Sequence, residues 1–234
     1  MTVGAYAQMP KDKIALQGED SFKAEMFKEF SDTIEDNALY VATTGSDSNA
    51  GTIDKPFATV QKALDTVKAG QTIYVRGGTY NALNSFKTSG SEGKYITLRN
   101  YPNETPFLTC TTGTNGAILL LNGCNYIKIY GLEIGGHSAE QAYGILINDC
   151  ENHIIISNNH IHNLLTTKPG ENENGEANGI LLFGEGKTDE TSINNICIEN
   201  NNIHNNTTGW SETLSTSGNC KYVNVINNTV HDNT

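Results

Sequence analysis

Glu212, in the run Trp210-Ser211-Glu212-Thr213-Leu214, is the residue whose setting best suits acid–base chemistry. Aligning Gly218 with Gly123 puts Glu212, Leu214 and Thr216 in phase with Ala117, Leu119 and Leu121, which strand alternation would turn inward. An inward carboxylate is costly unless it is paired or protonated. A bulge that flips it outward would make it a general acid or base with a raised pKa. The plainer alternative is a loop residue bonded to neighbouring backbone. Trp210, the only tryptophan, offers a flat face for stacking on a ring such as a sugar. Lys221 is the nearest base to Glu212 along the chain, and Lys187 is a second lysine that could take a proton. Asn178 is the expected polar contact to a ligand.

Metal chemistry has weaker signals. His162, His204 and His231 fall at equivalent positions of a repeat and should stack about 4.8 Å apart. Repeat geometry alone produces such a column, and charged imidazoles would repel, so a structural ladder is the reading. The acids Glu171, Glu173 and Glu176, with Glu185, Asp189 and Glu190, could hold calcium. They lack EF-hand spacing, and solvated loop charges are the commoner reading of such acids. Five cysteines (Cys110, Cys124, Cys150, Cys197, Cys220) include no CxxC pair, which removes support for structural zinc or a dense disulfide framework. They read as small core residues.

These residues are carried by repeats. Ile154-Ile155-Ile156-Ser157-Asn158-Asn159-His160-Ile161-His162 returns as Ile196-Cys197-Ile198-Glu199-Asn200-Asn201-Asn202-Ile203-His204 and as Val223-Asn224-Val225-Ile226-Asn227-Asn228-Thr229-Val230-His231. Degenerate copies begin at Ile127 and Ile96, so the spacings are 31, 27, 42 and 27 residues. A second strand type, Ala117 to Leu121, Gly144 to Ile147 and Gly179 to Leu182, lies between them. None of these units can bury its apolar face alone, whereas stacked coils bury a continuous column. The prediction is all-β: a right-handed parallel β-helix, with Asn158, Asn200 and Asn227 stacked as an amide ladder. The two long stretches Asn163 to Asn178 and Phe183 to Ser192 flank one strand and would wall a groove.

A solenoid must cover its ends. Asp54 and Pro56 open a stretch with Phe57, Val60, Leu64 and Val67 on one face, closed by Gly70, which predicts a capping α-helix. Phe22, Met26, Phe30 and Ile34 predict a second helix over 20–34, within an N-terminal extension of residues 1–37. Residues 38–234 form the β-helix domain, expected to continue beyond Thr234. Ala5-Tyr6-Ala7 before Gln8 looks like the end of a processed signal peptide.

Composition narrows the function. The net charge of -11, from 26 acids and 15 bases, argues against nucleic acid and against gripping a polyanion without a bridging cation. No apolar run approaches the ~20 residues of a membrane span. Of 29 asparagines, 20 lie from Asn148 onward, which excludes a helical bundle because asparagine favours turns.

Tyr40-Val41-Ala42-Thr43-Thr44-Gly45-Ser46-Asp47, with Gly51-Thr52, Lys55-Pro56-Phe57-Ala58-Thr59-Val60 and Gly70-Gln71-Thr72-Ile73-Tyr74-Val75-Arg76-Gly77-Gly78-Thr79-Tyr80, resembles a known module. It is similar to the N-terminal module of secreted bacterial parallel β-helix proteins, family-nine pectate lyases and several glycosidases among them. Trp210 to Leu214 and Asn227 to Asn233 also resemble right-handed β-helix proteins. The resemblance implies a secreted or cell-surface, monomeric protein that degrades a polysaccharide, by lyase chemistry on an acidic glycan with calcium as cofactor. A glycoside hydrolase and a non-catalytic carbohydrate-binding solenoid are the alternatives. Family-nine lyases imply a lysine base and calcium-binding aspartates, but no aspartate cluster follows Asn148.

Overall fold

Short aliphatic runs punctuated by Asn and Gly cannot propagate a helix but suit strands that each turn a corner. A computed structural model of the chain describes residues 16–18, 20–26, 28, 33–148, 152–170, 174–185 and 193–234. In chain order its strands are β1 (Leu39–Val41), β2 (Thr72–Val75), β3 (Gly78–Asn81), β4 (Asn84–Phe86), β5 (Ile96–Asn100), β6 (Pro106–Thr109), β7 (Gly116–Asn122), β8 (Ile127–Tyr130) and β9 (Glu133–Ala139). They continue as β10 (Gln141–Asn148), β11 (Asn152–Ser157), β12 (His160–Thr166), β13 (Glu176–Gly184), β14 (Ile193–Glu199), β15 (Asn202–His204), β16 (Leu214–Gly218), β17 (Cys220–Ile226) and β18 (Thr229–His231).

From β2 onward the chain visits three sheets in rotation. Sheet 1 runs β1-β2-β5-β8-β11-β14-β17, sheet 2 runs β3-β6-β9-β12-β15-β18 and sheet 3 runs β4-β7-β10-β13-β16. Every pairing of neighbours within a sheet is parallel, and Ile96, Ile127, Ile154, Ile196 and Val223 stand in register down sheet 1. This is a parallel β-helix, with the coils predicted from the repeats. Its core is a stack of aliphatic layers, such as Ile129, Ile156 and Ile198 from sheet 1, Ile134, Ile161 and Ile203 from sheet 2, and Leu121, Ile147 and Leu182 from sheet 3. Among the described residues Cys110 and Cys124 sit in this core, and Cys197 is buried on the outside of sheet 1.

The amide ladder forms one residue later than predicted. Asn158, Asn200 and Asn227 adopt φ of 57, 56 and 54°, the left-handed corner that asparagine tolerates best among side-chain-bearing residues. The following Asn159, Asn201 and Asn228 then point inward beneath the corner. Asn159 Nδ2 donates to Asn201 Oδ1 at 3.0 Å, and Asn201 Nδ2 to Asn228 Oδ1 at 2.9 Å. A second rung lies at the next corner, where Asn206 Nδ2 donates to Asn233 Oδ1 at 3.0 Å.

Helix α2 (Val60–Thr66) caps one end of the core as predicted. Thr59 Oγ1 accepts from Lys62 N at 3.2 Å, and Val60, Ala63 and Leu64 join the core cluster with Val41 and Val75. Helix α1 spans Asp20–Met26, shorter than the predicted 20–34, and much of the remainder lies outside the described residues. It caps nothing. It lies across the outer face of sheet 1, with Phe22 and Met26 packed on Ile155, Cys197 and Ile226.

Candidate functional site

The three faces of the solenoid differ in what they leave open. Sheet 1 is covered. Asn224 exchanges hydrogen bonds of 2.8 and 3.0 Å with the backbone of Gln17, and Glu25 Oε2 meets Lys128 Nζ at 2.6 Å. Residues 16–28 therefore run back along the axis from the last coil toward the first and seal this face as a strap. Beneath it Lys128 lies over the Tyr95 ring at 4.7 Å, and Arg99 is sandwiched between Tyr74 and Tyr130 at 5.5 and 5.0 Å.

Sheet 3 carries an apolar cluster on its outer side, mostly buried. Ala117, Tyr143 and Leu181 cluster there with Leu120 and Leu146, and Phe183 is exposed beside them. A break in the in–out alternation, shared in register by neighbouring strands, creates the arrangement. Ile118 and Leu119 both face the core, so Ala117 turns outward, contrary to the alternation expected from the sequence. The aligned Gly144 and Gly179 are compelled by the same break, because a Cβ on Gly179 would sit 2.7 Å from Ile203 Cγ2 and one on Gly144 2.6 Å from the Gly179 carbonyl.

Glu212 lies just ahead of β16. Leu214 and Thr216 pair with Ile180 and Leu182, the register predicted, and Glu212 is exposed, with Ser215 Oγ donating to its Oε2 at 3.5 Å. Asn178 is fully buried; its Nδ2 donates to Ser211 Oγ at 2.7 Å and to the Glu212 carbonyl at 2.5 Å. It holds the turn that presents Glu212, and a ligand on the face meets the turn, not the amide. Trp210 is 61% exposed, with Nε1 donating to Gly170 O at 2.9 Å, so its ring stands against the first long loop. Glu176, at the start of the adjacent strand, accepts from the Tyr143 hydroxyl, and burial, then this bond, push the Tyr143 pKa up. The rim of sheet 3 thus gathers Trp210, Tyr143, Glu176 and Glu212.

Lys221 is not among them. It pairs with Asn194 in sheet 1, a different face from Glu212, because proximity in sequence spans a corner of the solenoid. Lys187 lies outside the described residues, as do Glu171, Glu173, Asp189, Glu190 and Cys150. Glu185 is exposed at the end of β13.

Sheet 2 carries the histidines. His162 stacks on His204 at 5.5 Å between centroids, and His204 on His231 at 4.9 Å, the column anticipated from the repeat. The sequence reading missed two further members. His160 Nε2 lies 2.6 Å from His204 Nε2, and His162 Nε2 lies 3.0 Å from Glu133 Oε1. Glu133 pairs with His160 across the strands, a relation that appears only once β9 and β12 are put in register. The alternation in His160-Ile161-His162 was the available signal, since period two puts both imidazoles on one face. Burial, reinforced by the neighbouring imidazoles, holds His160 and His204 below the ordinary histidine pKa.

With the geometry in hand, comparison with known proteins becomes informative. The family model described as "Pel9A-like, right handed beta helix region" matches residues 39–234. The chain belongs to this Pel9A-like family. YwoF of Bacillus subtilis, described as uncharacterised, is 36% identical over 203 residues, covering 83% of this chain and 42% of YwoF. Pectate lyase PEL9 of Emericella nidulans is 30% identical over 175 residues, 68% of this chain and 37% of that enzyme. The Pel9A-like chain therefore spans about two fifths of the length of these curated relatives. Among solved structures, a GH136 lacto-N-biosidase from Eubacterium ramulus superimposes with a TM-score of 0.58 at 19% identity, over 74% of this chain and 35% of that one, which shows the shared fold.

The Pel9A-like match begins at residue 39, so the strap over sheet 1 lies outside it. From Asn148 onward the aspartates of this chain are Asp149, Asp189 and Asp232. Asp232 is bonded to His231 at 2.8 Å on sheet 2. Among the described residues, no helix is long and apolar enough to cross a membrane.

Proposed function

We propose that this Pel9A-like protein degrades an extracellular polysaccharide, and that it is a lyase cleaving an acidic glycan such as pectin by β-elimination. The kinship with pectate lyase PEL9, 30% identity over 68% of the chain, is the observation that carries this reading. The outer side of sheet 3, where Phe183, Trp210 and Glu212 are exposed, is its binding surface. Apolar side chains there suit the flat faces of sugar rings, and Trp210 on the rim adds a stacking platform.

β-Elimination requires a base for the proton α to the uronate carboxylate and a positive charge to stabilise the resulting carbanion. Lys221 faces a different sheet, and Lys187, which follows β13 in sequence and lies outside the described residues, is the other lysine proposed as the base. The protein's net charge of -11 makes a bridging cation such as calcium a requirement for holding a uronate polymer.

A hydrolase is the second reading, favoured by the two carboxylates on the sheet 3 rim. Glu176, bonded by Tyr143, and Glu212 would serve as the acid–base pair on a neutral glycan.

A glycan panel assayed with and without calcium, at neutral and alkaline pH, tests both. Absorbance growth at about 235 nm, the signature of an unsaturated uronate, on pectate establishes elimination. It should be lost in Lys187→Ala and retained in Glu212→Gln. Reducing ends without absorbance, abolished in Glu212→Gln, establish hydrolysis. Retention of glycan without cleavage of either kind overturns both and leaves a binding solenoid.

A further inference from the structure

We propose that Glu133, His160 and His162 bind a borderline divalent transition-metal ion, zinc foremost, on the outer face of sheet 2. One ligand atom from each of the three lies within 4.8 Å of the other two. In zinc sites with bonds of about 2.0–2.1 Å, tetrahedral ligand atoms stand roughly 3.3 Å apart. The His162 Nε2 to Glu133 Oε1 separation of 3.0 Å is already near that value, so small side-chain rotations admit an ion.

The fold supplies this geometry through four separate features. His160 and His162 share a face because one residue separates them on β12. Glu133 is the register partner of His160 on β9. The register partner of His162 is Gly135, so no side chain stands between the imidazole and the coil below. The His162 ring leans back over that gap to reach Glu133 and lies flat on Phe107, 5.9 Å away and inclined by 7°. His204, with its Nε2 2.6 Å from that of His160, holds the His160 ring from the opposite side and acts as a positioning residue.

The donor set selects the metal class. Two neutral imidazoles and one carboxylate suit zinc and its transition-metal neighbours, whereas calcium prefers an all-oxygen shell. Only His162, His204 and His231 are repeat-equivalent, yet His162 Nε2 contacts Glu133 and His204 Nε2 contacts His160, two residues off the ladder. Three protein ligands on an exposed sheet leave a coordination position facing solvent.

The test is zinc titration of the chelator-treated full chain by calorimetry, with cobalt substitution read by visible absorption. One equivalent should bind with a Kd in the micromolar range or tighter, and cobalt should give a d–d band of a low-coordinate nitrogen–oxygen site. Binding should weaken at least about a hundredfold in the His160→Ala/His162→Ala variant and about tenfold in His204→Ala, which removes only the positioning contact. His231→Ala, at the far end of the stack, should leave it unchanged. Should the double variant not fold by circular dichroism, Glu133→Gln supplies the same comparison with a near-isosteric side chain. No saturable binding at 1 mM zinc, or binding equal in the wild type and the ligand variants, overturns the proposal. Equal loss in His231→Ala overturns it too, by assigning the metal to the stack.

Discussion

Glu25 Oε2 and Lys128 Nζ lie 2.6 Å apart although 103 residues separate them in sequence. The contact fastens the N-terminal strap to the middle of sheet 1, where the Lys128 side chain is only 9% exposed. Burial raises the Glu25 pKa, but the bond and charge of Lys128 outweigh it and leave the carboxyl below its ordinary value. A depressed carboxylate pKa stabilises the fold above the unfolded pKa, and this contribution is lost as pH falls through the folded value. Glu25→Gln should therefore cost about 1–2 kcal/mol at neutral pH, less than a fully buried pair because Glu25 is partly exposed. The cost should vanish under acid, and urea unfolding at pH 7 and pH 3 measures both.

Phe22 is the apolar anchor of the same strap, fully buried against Met26, Ile155 and Cys197. Phe22→Ala removes that packing and should destabilise by roughly 3 kcal/mol. Hydrogen exchange should then rise first in the N-terminal segment, while the amides of the inward ladder stay protected. Uniform loss of protection would mean that the strap is integral to the coils and not a layer upon them.

The amide ladder gives a sharper mutational contrast. Asn201→Ala removes the acceptor of both the Asn159 backbone N–H and its Nδ2, and one of the two donors to Asn228 Oδ1, inside the buried corner, and should cost about 2–4 kcal/mol. Asn200→Gly, one residue earlier, keeps the left-handed corner at φ 56° and should change stability by less than about 0.5 kcal/mol. Thermal or denaturant unfolding of the two variants distinguishes the observed ladder from the one-residue shift predicted.

A corner charge pair governs acid stability at the other end. Glu104 accepts from Arg76 Nε at 2.9 Å and Nη2 at 2.7 Å, and from Gly77 N at 2.6 Å. The Arg76 bond holds the Glu104 carboxyl below its ordinary pKa, against the opposing effect of burial. Its contribution is present above the unfolded carboxylate pKa and is lost as pH falls through the lower folded value. Glu104→Gln should flatten the acid limb of the stability–pH curve, and because both groups are partly exposed the change at pH 7 should be about 1 kcal/mol.

Trp210 tests the glycan face separately from the fold. Its ring is largely exposed, and its single hydrogen bond reaches a loop carbonyl. Trp210→Ala should leave the melting temperature within a degree or two while weakening glycan binding about tenfold, the scale of one lost stacking contact. Affinity electrophoresis or calorimetry with the glycan identified by the panel measures it.

The coils were legible in the sequence because a parallel solenoid pairs each residue with its repeat equivalent. Ile154, Ile196 and Val223 could be put in register by inspection, and Phe57, Val60, Leu64 and Val67 marked the cap by helical spacing. The same logic stacked His162, His204 and His231. The tertiary structure alone decided what lies off that axis. Glu133 meets His162 diagonally, across the gap left by Gly135. Glu212 is exposed because it lies in the turn ahead of β16, whose backbone Asn178 holds. Lys221 faces away because a corner intervenes, and the strap's choice of sheet 1 rests on Phe22 and Glu25 meeting Ile155 and Lys128. Periodicity reports which residues share a column, whereas lean, turn and long-range docking depend on the volumes of neighbours brought together only by folding.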